Sequence, residues 1–114
     1  MMNLKKVLRR IQVSTETEPK NSVMAIIKLQ EEVGELAAEI IKKEGYTYKE
    51  FKHQDLLDEI SDVLIQTFSL YFMLVKEGTI PTKRKELKKS LNKKIDKWEK
   101  NVPLIKEKLK LTGK

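Results

Sequence analysis

Apolar residues recur at spacings of three and four through most of the chain, which is the period of an amphipathic α-helix. Leu4, Val7, Leu8 and Ile11, alternating with basic positions, predict a short helix over residues 3–13. The run Ser14-Thr15-Glu16-Thr17-Glu18-Pro19 is expected to break it, because proline removes a backbone donor and crowds the preceding turn. Asn21 or Ser22 then offers a side-chain oxygen to cap a second helix, predicted over residues 22–44. Its seam is Ile26, Leu29, Val33, Leu36 and Ile40, and Gly45 is placed to end it. A loop over residues 45–53 carries Tyr46, Tyr48 and Phe51.

The third helix, residues 54–77 and ended by Gly78, is apolar on nearly every side. Leu57, Ile60, Leu64, Phe68, Tyr71 and Val75 share one face, and Leu56, Val63, Thr67, Leu70 and Leu74 cover a second. Only Asp55, Asp58, Glu59, Asp62, Gln66 and Ser69 leave a polar strip. Such a helix needs surroundings on all sides, from a bundle or from another subunit. Pro81 opens a last helix over residues 82–101, with Leu87, Leu91, Ile95 and Trp98 on its inward side. Pro103 is expected to interrupt it, leaving residues 104–111 as a short tail. The pattern predicts one all-α domain over residues 1–114, a bundle built around two long antiparallel helices and completed by oligomerisation. Its acidic core spans 22–77, and its basic C-terminal helix and tail span 82–114.

Composition narrows the chemistry. A chain of 114 residues without cysteine excludes disulfides, thiolate catalysis and cysteine-based zinc sites, and a single histidine excludes a multi-histidine metal site. The charged start and the lack of a long apolar run predict a cytoplasmic protein without a membrane partner. The net charge of +7 is lopsided: residues 83–114 hold 13 Lys or Arg against 4 acids, a net +9, and the remainder is net −2. A basic third beside an acidic two-thirds suggests an anionic partner, or merely a solvated lysine-rich helix.

Two acidic clusters stand on the long helices, Glu31-Glu32-Val33-Gly34-Glu35 and Asp58-Glu59-Ile60-Ser61-Asp62. Glu32 with Glu35, and Glu59 with Asp62, are three apart and so lie on one side of their helix, one turn above the other. Lys28, Glu32, Glu35 and Glu39 form a stripe beside the first seam, and Asp55, Glu59, Asp62 and Gln66 form its counterpart. Helices packed through their seams would bring the two stripes together at one edge of the interface. Four to six carboxylates gathered there repel one another, and a divalent cation relieves that repulsion. Hard oxygen ligands suit Mg²⁺, with Mn²⁺ as an alternative, and Mg²⁺ commonly completes its shell with substrate phosphates.

The stretch Lys28-Leu29-Gln30-Glu31-Glu32-Val33-Gly34-Glu35-Leu36, followed by Asp58-Glu59-Ile60-Ser61-Asp62-Val63-Leu64, resembles the MazG-like all-α nucleoside triphosphate pyrophosphohydrolases. The resemblance covers residues 24–75, through an ExxE on one helix and an ExxD on the next. It implies a helical homodimer or homotetramer. It also implies Mg²⁺ held by Glu32, Glu35, Glu59 and Asp62, and hydrolysis of an NTP or dNTP between the α and β phosphates. Glu32 or Glu35 would hold the attacking water, with Glu31 and Asp58 as further acidic candidates. Lys28, Lys93, Lys94 and Lys97 would reach the substrate phosphates, Lys28 having ion pairing with Glu32 as its equal alternative. No Trp precedes Trp98, so stacking of the base on an upstream Trp is not expected.

Other residues have plainer readings. His53 is expected to face solvent near a helix start, Tyr46, Tyr48 and Phe51 to pack over the end of the bundle, and Trp98 to lie in the core or a subunit interface. Met24 and Met73 read as core filler. Two other function classes compete with the enzyme: nucleic-acid binding by the basic last helix, and helix-mediated interaction. Arg84 is the only arginine beyond residue 10 and no helix-turn-helix signal appears, which disfavours nucleic acid.

Overall fold

A computed structural model describes residues 3–81 and 84–111, and every regular element among them is an α-helix. The helices are α1 (Leu4–Thr17), α2 (Ser22–Lys43), α3 (His53–Lys76) and α4 (Arg84–Leu111). The chain divides at Ile80/Pro81 into two compact units, the first holding α1 to α3 and the second α4.

Local chemistry sets the ends. The Asn3 side chain accepts from the backbone N–H of Lys5 at 3.0 Å, and Asn21 accepts from that of Met24 at 3.0 Å, so each satisfies a donor that its helix leaves free. Gly45 and Gly78 close α2 and α3 with φ of 78° and 79°, a left-handed turn that a side chain would strain. The turn lets Tyr46 N–H reach back to the Ile41 carbonyl and Thr79 N–H to that of Leu74. Both glycines match their sequence reading.

One expected break falls later within its run than the pattern placed it, and another does not occur. α1 continues to Thr17 and stops only before Pro19. The hydroxyls of Thr15 and Thr17 turn back onto the carbonyls of Ile11 and Val13, so the polar run is satisfied without leaving the helix. α4 runs unbroken to Leu111 with Pro103 inside it, so the separate tail is not seen. The lysines, glutamates and leucines on both sides of Pro103 are strong helix formers that offset one lost backbone bond. The predicted start of the last helix at Thr82 lies outside the described residues.

In the first unit, α1 and α2 both pack on α3. Ala25, Phe72 and Met73 are the buried apolar side chains, joined by Thr15 and Ser69. The Thr15 and Ser69 hydroxyls share a hydrogen bond of 2.9 Å across α1 and α3. Ser22, at the start of α2, donates its backbone N–H and its hydroxyl to the Glu77 carboxylate just past the end of α3, at 2.8 and 2.6 Å. That pair holds the Glu77 carboxyl below its ordinary range.

The packing face of α2 is not the one its hydropathy predicts. Ala25, Glu32 and Glu39 are buried, whereas the seam residues Ile26, Val33 and Ile40 remain 40%, 48% and 42% exposed. Leu29 and Leu36, between the two faces, are half-buried. α3 shows the same rotation: Leu57 and Leu64 are more than half exposed, and Ile60 is 39% exposed. The acidic stripes therefore sit within the contact, and the seams look outward. Met73 is core as expected, but Met24 is exposed. In the second unit, Leu91, Ile95 and Trp98 are exposed rather than inward, with Trp98 at 67%.

Candidate functional site

The rotation of α2 against α3 carries the acidic stripes together. Glu32, Glu59 and Asp62 each place a carboxylate oxygen within 4.8 Å of the others. Glu32 is 6% exposed, and its Oε2 and the Oε2 of Glu59 are buried without a hydrogen-bond partner. Like charges so close, with acceptors so dry, oppose ionisation. Removal from water, followed by the charges of Glu35, Asp62 and Glu32, pushes the Glu59 carboxyl above its ordinary value. Glu35 is exposed, yet the neighbouring Glu32 carboxylate pushes its carboxyl up as well, followed by desolvation.

Lys28 supplies the local counter-charge. Its Nζ lies 3.1 Å from Glu32 Oε1 and 3.6 Å from Glu31 Oε1, one helical turn away. Of its two sequence readings, the structure shows the ion pair. The Glu32 bond, then the charges of Glu31 and Glu32, hold the lysine further into its charged form. This single cation engages only one of the two Glu32 oxygens.

A second buried acid extends the stripe. Glu39 is 7% exposed, its Oε1 is 2.7 Å from Lys42 Nζ, and its Oε2 has no partner. Lys42 is held in its charged form chiefly by that bond, and it also feels Asp55 and Glu59. The structure thus brings Glu32, Glu59 and Asp62 together, with Glu35 alongside and Glu39 one turn further. Glu31 faces solvent beside Lys28, and Asp58 faces solvent and accepts from Gln54 Nε2 at 2.7 Å. Lys93, Lys94 and Lys97 belong to the second unit, where Lys93 and Lys97 share a face of α4 with Lys89 and Lys100. His53 is exposed at the start of α3, as expected, and meets the Phe51 ring edge-on. Tyr46 and Tyr48 are 82% and 97% exposed, so they do not pack over the bundle end.

A cleft of about 470 Å³ adjoins the acidic group. α1 contributes Val7, Arg10 and Ile11 to its wall, α3 contributes Ile65, Gln66 and Ser69, and Lys28 connects it to Glu32. Gln66 Oε1 is buried without a partner. The sequence reading placed Glu39 and Gln66 on the acidic stripes without giving them a role. The cleft itself was invisible, because it depends on how α1 lies on α3. No family model, curated protein or solved structure matches the chain.

The donor set is all oxygen. Hard cations such as Mg²⁺ and Ca²⁺ hold oxygens at about 2.0–2.6 Å, and one oxygen from each of the three carboxylates lies within 4.8 Å of the others. The two orphaned oxygens are groups such an ion would satisfy.

Proposed function

We propose that the chain is a divalent-cation-dependent nucleotide pyrophosphohydrolase that cuts an NTP or dNTP into a nucleoside monophosphate and pyrophosphate. One observation carries this reading: the carboxylates of Glu32, Glu59 and Asp62 each bring an oxygen within 4.8 Å of the others, and Glu32 and Glu59 each hold a buried oxygen without a partner. An apolar replacement at these positions would be the cheaper way to make a helix contact, so the arrangement fits a bound cation. The MazG-like resemblance of the two acidic segments supports the same assignment.

Glu32, Glu59 and Asp62, with Glu35 beside them, would hold Mg²⁺ or Mn²⁺. When bound, the ion neutralises charge that accumulates at phosphorus. Glu35, the exposed member of the group, would orient a water for attack on the α phosphorus and accept its proton. The bond to the bridging oxygen breaks, and pyrophosphate leaves with that oxygen. Lys28, which lines the cleft and pairs with Glu32, would meet the substrate phosphates as a point charge. Lys93, Lys94 and Lys97 remain candidates for the same task.

The unit is read as an antiparallel helix bundle that a second copy completes, as a homodimer or a dimer of dimers. Supporting this, Val23, Ile26, Ile27, Val33, Ile40 and Ile41 on α2 are all at least 40% exposed. So many exposed aliphatic side chains on one side of a helix mark an interaction surface. On α2 it lies on the flank away from Lys28, so a copy seated there leaves the cleft beside α1 open.

A turnover screen over ribo- and deoxyribonucleoside triphosphates, with and without Mg²⁺, tests the enzyme. The expected result is Mg²⁺-dependent release of pyrophosphate from at least one of them. A second reading, polyanion binding, is favoured by the Lys89, Lys93, Lys97 and Lys100 face of α4. Steeply salt-dependent DNA binding without hydrolysis would support it instead.

A further inference from the structure

We propose that the cleft between α1 and α3 takes the β and γ phosphates of the substrate, and that Arg10 is the residue that grips them. The inference rests on the pyrophosphohydrolase reading and deepens it by fixing which end of the nucleotide lies beside α1. The cleft is basic where the neighbouring group is acidic. Its wall carries the three cations Arg10, Lys20 and Lys28 against the single acid Glu18, a net of +2. Lys28 also stands at Glu32, so one residue marks where the acidic group gives way to the basic wall. A phosphate chain crossing that boundary needs a metal at its acidic end and meets the protein's own cations at the other. At about 470 Å³ the cleft is within the size of small-ligand sites.

Arg10 is the uncommitted cation of the three. Lys20 lies 3.1 Å from Glu18, and Lys28 is engaged by Glu32 and Glu31. The Arg10 side chain has neither an ion pair nor a hydrogen bond among the described residues. It is exposed, so an anion can reach it, and its guanidinium is a planar fork that meets a phosphate at two points. Val7, Arg10, Ile11 and Ser14 recur at helical spacing and share the side of α1 that borders the cleft. Arg9, the neighbouring cation, does not line it. Val7 and Ile11 put aliphatic surface beside the guanidinium, where an ionic contact is screened less than in open water. In the reaction, the bond between the α phosphorus and the bridging oxygen breaks, and that oxygen keeps the electron pair and leaves on the β phosphate. Negative charge therefore grows at the end that Arg10 holds, and the cleft reads the leaving group instead of the base.

Calorimetry with inorganic pyrophosphate and with ribo- and deoxyribonucleoside monophosphates, all in Mg²⁺, separates the two ends of the substrate. Arg10→Gln should weaken pyrophosphate binding at least about tenfold and leave the monophosphates within about threefold of the wild type. Arg10→Lys, which keeps the charge without the fork, should fall between the two. Arg9→Gln removes the same charge one position away and should bind both probes as the wild type does. Pyrophosphate binding that is unchanged in Arg10→Gln, or weakened as far in Arg9→Gln, overturns the assignment of Arg10. Weakening of the monophosphates instead of pyrophosphate in Arg10→Gln overturns the orientation. Pyrophosphate binding that is lost in Lys93→Gln combined with Lys97→Gln, and kept in Arg10→Gln, places the anion on α4 and overturns the cleft. If the monophosphates bind too weakly to read, the pyrophosphate arms decide alone. A chain that turns over nucleotides while Arg10→Gln binds pyrophosphate normally refutes only this inference. A wild-type chain that neither cleaves a nucleotide nor binds pyrophosphate refutes the pyrophosphohydrolase reading itself, and the assignment of Arg10 falls with it.

Discussion

The two faces of α2 reverse the usual order of burial. Ala25, Glu32 and Glu39, seven residues apart, are buried on α3, and Ile26, Val33 and Ile40, one position further on each time, are left 40–48% exposed. Stability of a lone chain favours the opposite arrangement. Burying an aliphatic side chain contributes about 1.5–3 kcal/mol, whereas a buried carboxylate without full pairing is costly. The contrast teaches that the hydropathy seam of a helix and its packing seam are separate properties. Where they part, a ligand or another subunit is the natural place to look for the compensation.

Removing the acids strikes the buried face directly. Glu59→Gln and Asp62→Asn should each lower Mg²⁺-dependent pyrophosphate release on the order of 10²–10³-fold while the far-ultraviolet circular dichroism stays helical. Full activity in either variant would sink the assignment of the site. Next in size is the outward face. Val33→Lys combined with Leu64→Lys should shift the mass in sedimentation equilibrium from a multimer to a single chain at micromolar concentration. A wild-type chain that already sediments as a monomer would refute the assembly.

Proton and metal linkage sharpen the acidic side. Glu59 and Glu35 hold protons more tightly in the folded chain than their ordinary value of 4.5. The metal-free protein should therefore lose stability as pH rises from about 4.5 through those raised values toward neutrality. Glu77 acts in the other sense, since its lowered value costs stability only as pH falls below about 4.5. Saturating Mg²⁺ at neutral pH should raise the melting temperature by about 5–10 °C, and Glu59→Gln should lose most of that rise. Calorimetric scans from pH 5 to pH 8 check both, and identical wild-type curves with and without Mg²⁺ would contradict them.

Smaller effects probe what holds α1 and α2 in place. Thr15→Val leaves Ser69 without its buried partner and should cost about 1–3 kcal/mol in urea unfolding. Asn21→Ala removes the cap on Met24 N–H and should cost about 1 kcal/mol by the same measurement.

Much of this architecture was legible in the sequence because it is local. Period, caps and the glycines after α2 and α3 depend on neighbours within a few residues, and those readings hold. The proximity of Glu32, Glu59 and Asp62 was also legible, since like-charged pairs on two apolar helices are conspicuous. The rotation that places them inside the contact was not, because a pattern of apolar positions assigns the seam to the nearest helix in its own chain. The end of α1 was placed early for a related reason: Pro19 does stop the helix, but the hydroxyls of Thr15 and Thr17, bonded to Ile11 and Val13, let it run on to Thr17. The cleft is a property of how α1 lies on α3, and Val7, Ile11 and Ile65 look like ordinary core positions in one dimension.

Pro103 has a consequence for the far end of α4. Without an N–H it leaves the Glu99 carbonyl unserved, and its ring crowds that same turn, a defect of about 3 kcal/mol in an otherwise regular ladder. The last two turns, Leu104 to Leu111, are thereby partly uncoupled from the rest of the helix. Their amides should exchange with deuterium well before those of Leu87 to Trp98, so that α4 unravels from Pro103 outward instead of opening as one rod.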